Sequence, residues 1–313
     1  MSIINREKET IAPLVPPDYI SDTLQSESPI GLTTSWLTAN IFEGCSCNCI
    51  YCFRHRWCTA SYPQQIISVK EAFELLISHE KFLPHYTPIT VNVASTDSLL
   101  PEVIESTLSL IKMFEQNGYR NPFGVVSKIG PNGETIEFLC SLKNVRPVLI
   151  ISYSGMPKRI EPVSAKNRIN AIKQAKQRKL SVILMYKPIV QGWNDSTKTI
   201  SKVFSTAGKY VDAIVFGGLR LDNQIAASIK KSGVSLPYPI PKKWGEKELP
   251  IETINKLYAI HNRVCPDVPI YRHTSCALSK ILQISNYNML YKVSRLDCTT
   301  CPQDQYHICN KEG

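Results

Sequence analysis

The sequence predicts an α/β fold: a parallel sheet curled into a partial (βα)6 barrel of the TIM type, followed by a cysteine-rich C-terminal extension. Six short β-branched runs alternate with helical-period segments between residues 34 and 220, and four cysteines gather after residue 270, where that alternation has loosened. Consecutive parallel strands need crossover helices, and crossovers of one hand curl the sheet one way. A chain of 313 residues with 43% hydrophobic content can bury the large core this requires.

Residues 1–33 read as an N-terminal extension, rich in Pro13, Pro16, Pro17 and Pro29. The core, 34–220, opens with a strand at 36–42 that delivers the chain into a cysteine loop, and a helix follows at 69–80. Strands are expected at 88–94, 123–126, 148–153, 181–186 and 211–216 from their β-branched runs. Helical spacing places helices at 102–117 and 134–142, within the basic stretch 158–179, and at 196–207. In the extension, 221–313, Pro237, Pro239, Pro241 and Pro250 predict a long irregular loop; a helix at 251–263 and a strand at 268–272 follow.

No apolar run approaches the ~20 residues that cross a bilayer, so no membrane partner is expected. The first ten residues are charged and lack a signal-peptide pattern, which predicts a cytoplasmic protein. Eleven cysteines in such a chain point to metal or redox work and to oxygen sensitivity, because reducing compartments keep disulfides rare. The formal charge of +10 draws on residues 158–179, where eight Lys or Arg face the single Glu161. Ile169, Ile172 and Ala175 recur there at helical spacing, so the basic residues read as one face of an amphipathic helix. Such a face is usually only solvated, but it could also take nucleic acid through nonspecific phosphate contacts.

Cys45-x3-Cys49-x2-Cys52 places three thiolates within eight residues. Such a triad can hold three irons of a [4Fe-4S] cluster and leave the fourth without a protein ligand. A zinc knuckle would require a second paired half, and none follows closely. Cys47 and Cys58 lie nearby but fall outside the spacing. Further loops follow successive strands at the same end of the sheet, where barrel enzymes place their chemistry. Ser95, Thr96 and Asp97 offer acceptors for an ammonium group, Ser127 and Lys128 a hydroxyl and a cation, and Ser152 and Ser154 further hydroxyls.

The cysteine spacing, with Tyr51 before its last member, resembles the signature of the radical SAM superfamily. The loops 95–97 and 127–128, and the run 162–168 leading to 188–195, resemble the branch that contains spore photoproduct lyase. The resemblance implies a cluster whose open iron binds S-adenosylmethionine, reductive cleavage to a 5'-deoxyadenosyl radical, and hydrogen abstraction from an unidentified substrate. It implies a flavodoxin- or ferredoxin-type electron donor. Ser95, Thr96, Asp97 and Lys128 would contact the methionine part of the cofactor, and the backbone beside Tyr51 and near Ile189 the adenine. One departure matters: photoproduct lyases carry a cysteine shortly before the hydroxyl-Asp pair, and Ala94 stands here. Thymine-dimer repair is therefore not inherited, although nucleic-acid repair or modification stays open as an alternative.

Cys276, Cys298, Cys301 and Cys309 supply four thiolates, enough for a second, fully coordinated [4Fe-4S] cluster or for a structural zinc. Cys140 and Cys265 read as core residues. No catalytic residue is legible beyond the cofactor sites. A cysteine-rich, nucleic-acid-binding module without radical chemistry is the remaining reading.

Overall fold

The computed structural model describes residues 29–33, 35–56, 61–241, 247–287 and 303–311. Its main sheet runs in the order β1 (Ile30–Leu32), β2 (Leu37–Ala39), β5 (Ile89–Val91), β6 (Pro122–Ser127), β7 (Arg146–Ser152), β8 (Ser181–Ile189), β9 (Ala213–Arg220) and β10 (Lys247–Glu248). From β2 to β9 every pairing is parallel, so all six strands expected from sequence are present and neighbours in sequence order. The antiparallel strands β1 and β10 flank them, and β11 (Ile270–Tyr271) pairs in parallel with β9. Among the described residues the two edges do not pair, so the sheet is open.

The crossover helices are α1 (Val69–Ser78), α2 (Ile104–Gln116), α3 (Gly133–Ser141), α4 (Ala165–Gln177) and α5 (Thr197–Thr206). Side-chain caps start four of them: Ser68, Asn132, Ser164 and Ser196 each accept a backbone N–H three residues on. Leu76, Phe114, Leu139, Ile172 and Phe204 pack with Val91, Val125, Leu149, Leu184 and Phe216 into one core. Crossover helices on a single face are the mark of a barrel-like winding; a doubly wound sheet has them on both. The opposite face carries a smaller core, Trp36, Val148, Ile150, Ile183 and Val215, covered by Ala277 and Leu278 of α8 (Thr274–Leu282).

Three local readings are corrected. The strand expected at 36–42 splits: Asn92 Oδ1 accepts the N–H groups of Ile41 and Phe42 at 2.7 and 3.0 Å, turning the chain off the sheet. β3 (Phe42–Glu43) then pairs with β4 (Gln64–Gln65) in a separate ribbon. Residues 30–32, within the expected N-terminal extension, form the edge strand β1. Helices α6 (Asn223–Lys231) and α8 were not read from the sequence; Asp222 caps α6 by accepting the Ile225 N–H at 2.8 Å. α7 (Ile251–Val264) falls where expected, and α9 (Gln303–Lys311) ends the described chain.

Candidate functional site

The cysteine loop leaves β3 through Gly44, whose φ of 94° is the left-handed region that glycine enters without strain. Local bonds shape it: the Cys52 N–H donates to the Cys49 carbonyl at 3.1 Å, and the His55 N–H to that of Cys52 at 3.0 Å. The His55 ring lies 3.0 Å from the Cys49 carbonyl oxygen, and buried Arg54 reaches the Cys45 carbonyl at 3.5 Å. Neither side chain was read as functional from the sequence.

The thiols lie within electrostatic reach of one another: Cys45 and Cys52 act on Cys49, and Cys45 acts on Cys52. Among the described residues, no three His, Cys, Asp or Glu side chains converge on a single ion. A hydrogen bond from the Cys47 thiol holds Cys45 down to about 6 despite burial. Burial pushes Cys49 up, with Lys128 opposing, and pushes Cys52 up, with Arg54 opposing.

Beside the cysteines, Lys128 Nζ donates to Glu161 Oε2 at 2.7 Å, to Ser152 Oγ at 3.0 Å and to Tyr51 Oη at 3.0 Å. Glu161 also accepts short hydrogen bonds from the Tyr51 hydroxyl and from Arg168. Burial alone would raise the Glu161 pKa, but Lys128 and Arg168 outweigh it and hold the carboxyl at about 2. Arg168 is further tied to the carbonyls of Ser152 at 2.9 Å and Val163 at 3.1 Å. Glu161 and Arg168 were missed as site residues. The signals were a lone acid in a run of eight cations and, for Arg168, its place in the run 162–168 that carries part of the resemblance.

Asp97 is buried and divides its oxygens among Ser127 Oγ at 2.8 Å, Leu99 N at 3.0 Å and Lys128 N at 2.5 Å. It therefore ties the β5 and β6 loops together. Burial raises its pKa and these donors oppose the rise. Ser127 also accepts the N–H groups of Ile129 and Gly130. Ser95 donates to Asn40 Oδ1 at 3.3 Å. Thr96 favours the Cys45 thiolate. The Ser154 hydroxyl is buried with no hydrogen-bond partner among the described residues, which fits a site that holds a polar ligand. Ile189, fully buried, ends β8; Asn194 ties that end to β7 by donating to Ser154 O at 2.7 Å and accepting from Val190 N at 2.8 Å.

Cys276 lies on α8, its sulfur accepting from Asn286 at 3.4 Å, and Cys309 on α9, accepting from Gln305 at 3.3 Å. Cys298, Cys301 and Cys58 lie outside the described residues. On α4 and the turn after it, much of the basic charge is engaged: Lys176 with Asp212, Arg178 with Glu137, Arg168 with Glu161, and Lys173 over the Tyr210 ring. No helix of the described residues is long and apolar enough to cross a membrane.

No family model matches the chain, and no curated protein matches it in sequence. Solved structures share its fold. A spore photoproduct lyase point mutant superposes with a TM-score of 0.54 at 17% identity, over 74% of this chain and 75% of that one. A spore photoproduct lyase double mutant with bound AdoMet and dinucleoside spore photoproduct gives 0.55 at 13% identity, over 81% and 80%. A radical SAM methyltransferase from Sphaerobacter thermophilus gives 0.52 at 14%, over 77% and 68%. The resemblance read from the cysteine spacing is thus matched by a resemblance of fold.

Proposed function

We propose that this chain is a radical SAM enzyme that cleaves S-adenosylmethionine and uses the resulting radical to abstract hydrogen from a substrate at the open end of the sheet. The observation that carries this is the pairing of the three-thiol loop with the Lys128 cluster, Cys49 lying within the field of the Lys128 ammonium. Bound to Cys45, Cys49 and Cys52, a [4Fe-4S] cluster with one open iron supplies the electron that breaks the cofactor's sulfonium bond.

The protein's part is orientation and shelter. Glu161 neutralises one of its two cationic neighbours, so Lys128 and Arg168 together with it carry one net positive charge. That charge favours a bound carboxylate, and Ser152 and Tyr51 fix where the ammonium stands. The Ser154 hydroxyl is available to hydrogen-bond the cofactor, and the apolar end of β8 at Ile189 offers a surface for its base. Cys276, Cys298, Cys301 and Cys309 would hold a second cluster, and a flavodoxin- or ferredoxin-type protein would deliver the electrons.

Anaerobically reconstituted protein should be brown, contain about four to eight irons per chain, and form 5'-deoxyadenosine from S-adenosylmethionine with dithionite. Colourless protein that holds only zinc and forms none would refute the proposal. Photoproduct repair is not part of it, because Ala94 cannot return a hydrogen atom to a product.

A further inference from the structure

An ammonium group has three protons to donate, and described neighbours take all three from Lys128. The acceptors are Glu161 Oε2 at 2.7 Å, Ser152 Oγ at 3.0 Å and Tyr51 Oη at 3.0 Å. A ligand carboxylate can therefore bond to Lys128 only if one of these partners gives way. Glu161 itself is fixed. It stands in a turn where the N–H groups of Ile160 and Glu161 both donate to the Pro157 carbonyl, and the Ile160 carbonyl accepts the Ile50 N–H of the cysteine loop at 3.2 Å. Its side chain is fully buried, and that of Arg168 nearly so, whereas the Lys128 side chain is partly exposed. Lys128 is the member that can move.

Arg168 is what lets it leave. Arg168 binds Glu161 Oε1, the oxygen that Lys128 does not use, and is held in turn by the Ser152 and Val163 carbonyls. When Lys128 turns away, Glu161 keeps its guanidinium partner and the Tyr51 hydroxyl, so no buried charge is left alone. At rest one acid has two cations; after the turn two acids have one each. Sharing Lys128 between both acids would instead bring two carboxylates together, and like charges repel.

We propose that Glu161 and Arg168 are positioning residues that hold Lys128 in reserve: Glu161 keeps the ammonium until the cofactor's carboxylate takes it, and Arg168 then neutralises Glu161. That the ligand is S-adenosylmethionine rests on the radical SAM reading; the exchange rests on the hydrogen bonds. Calorimetric titration of anaerobically reconstituted full-length protein tests it, without reductant so that nothing is cleaved. The probes are S-adenosylmethionine and its decarboxylated form, which lacks only the carboxylate.

Glu161→Gln with Arg168→Met removes one negative and one positive charge, so a plain charge effect leaves affinity unchanged. Loss of the competing acid should instead tighten S-adenosylmethionine about tenfold and leave the decarboxylated form as in wild type. Arg168→Met alone should weaken S-adenosylmethionine about tenfold, because releasing Lys128 would then orphan Glu161. Should that variant fail to fold, the double variant, which keeps no fully buried charge, still decides. A crystal structure of the wild-type complex should place Lys128 beyond hydrogen-bonding distance of Glu161. Wild-type or weaker affinity in the double variant, equal shifts for both probes, or Lys128 still bonded to Glu161 in the complex overturns the exchange. The expected shifts without 5'-deoxyadenosine on adding dithionite overturn the radical reading alone; cleavage with unshifted affinities overturns the exchange alone; no binding of S-adenosylmethionine overturns both.

Discussion

Replacing Glu161 by glutamine removes the carboxylate bonded to both Lys128 and Arg168 while keeping its shape. The Arg168 side chain is 2% exposed and cannot turn to water, whereas that of Lys128 is 21% exposed and partly can. Removing one partner of a buried pair costs about 3–5 kcal/mol. The carbonyls of Ser152 and Val163 still receive Arg168, which puts the cost near the lower end. The titration shift gives the same scale: a fall from 4.5 to about 2 is worth about 3 kcal/mol. The depressed carboxylate pKa means this stability is fully present above about pH 4.5 and is lost as pH falls through about 2. Thermal melts of the variant near pH 7 should therefore show a drop of about 5–8 °C. Glu161→Gln with Arg168→Met should recover most of it, because the fully buried guanidinium is then gone and the remaining cation, Lys128, is partly exposed to water. A single variant as stable as wild type, or a double variant that shows the sum of two losses, would refute the reasoning.

Cys49→Ser should remove the reconstituted cluster, seen as loss of iron and of brown colour, and abolish 5'-deoxyadenosine formation. Asn92→Ala should cost about 3 kcal/mol by orphaning the buried N–H groups of Ile41 and Phe42, read as a lowered melting temperature together with poorer iron retention. Cys298→Ala with Cys301→Ala should reduce iron from about eight to about four per chain; unchanged iron would remove the second cluster from the proposal.

The parallel sheet was legible because β-branched runs such as residues 148–153 and 181–186 stand between helical segments with clear caps, and the cysteine loop because its ligands are local. What escaped were residues whose role is set by distant partners. Glu161 lies 33 residues from Lys128 and was noticed only as an exception within a basic stretch. Asn92 read as part of a strand, although its φ of 58° and its side-chain oxygen redirect the chain some fifty residues earlier. α6 was hard to read because it is short and lies beyond the strand-and-helix alternation that ends near Gly217; its only marks are the Asp222 cap and Ile225 and Ile229 at helical spacing. Conversely, Asp97 and Ser127 were read as ligand contacts, and the structure shows that they also bind each other and the neighbouring backbone.

Lys128 and Arg168 share a buried carboxylate, so their site is nearly compensated and fixed before any ligand arrives. That arrangement favours precise placement of a zwitterionic cofactor, because the cations are already held and one net positive charge remains to attract its carboxylate. The cysteine loop is tied in from its other end: Arg56, four residues after Cys52, pairs with Asp222, the cap of α6, at 2.7 Å.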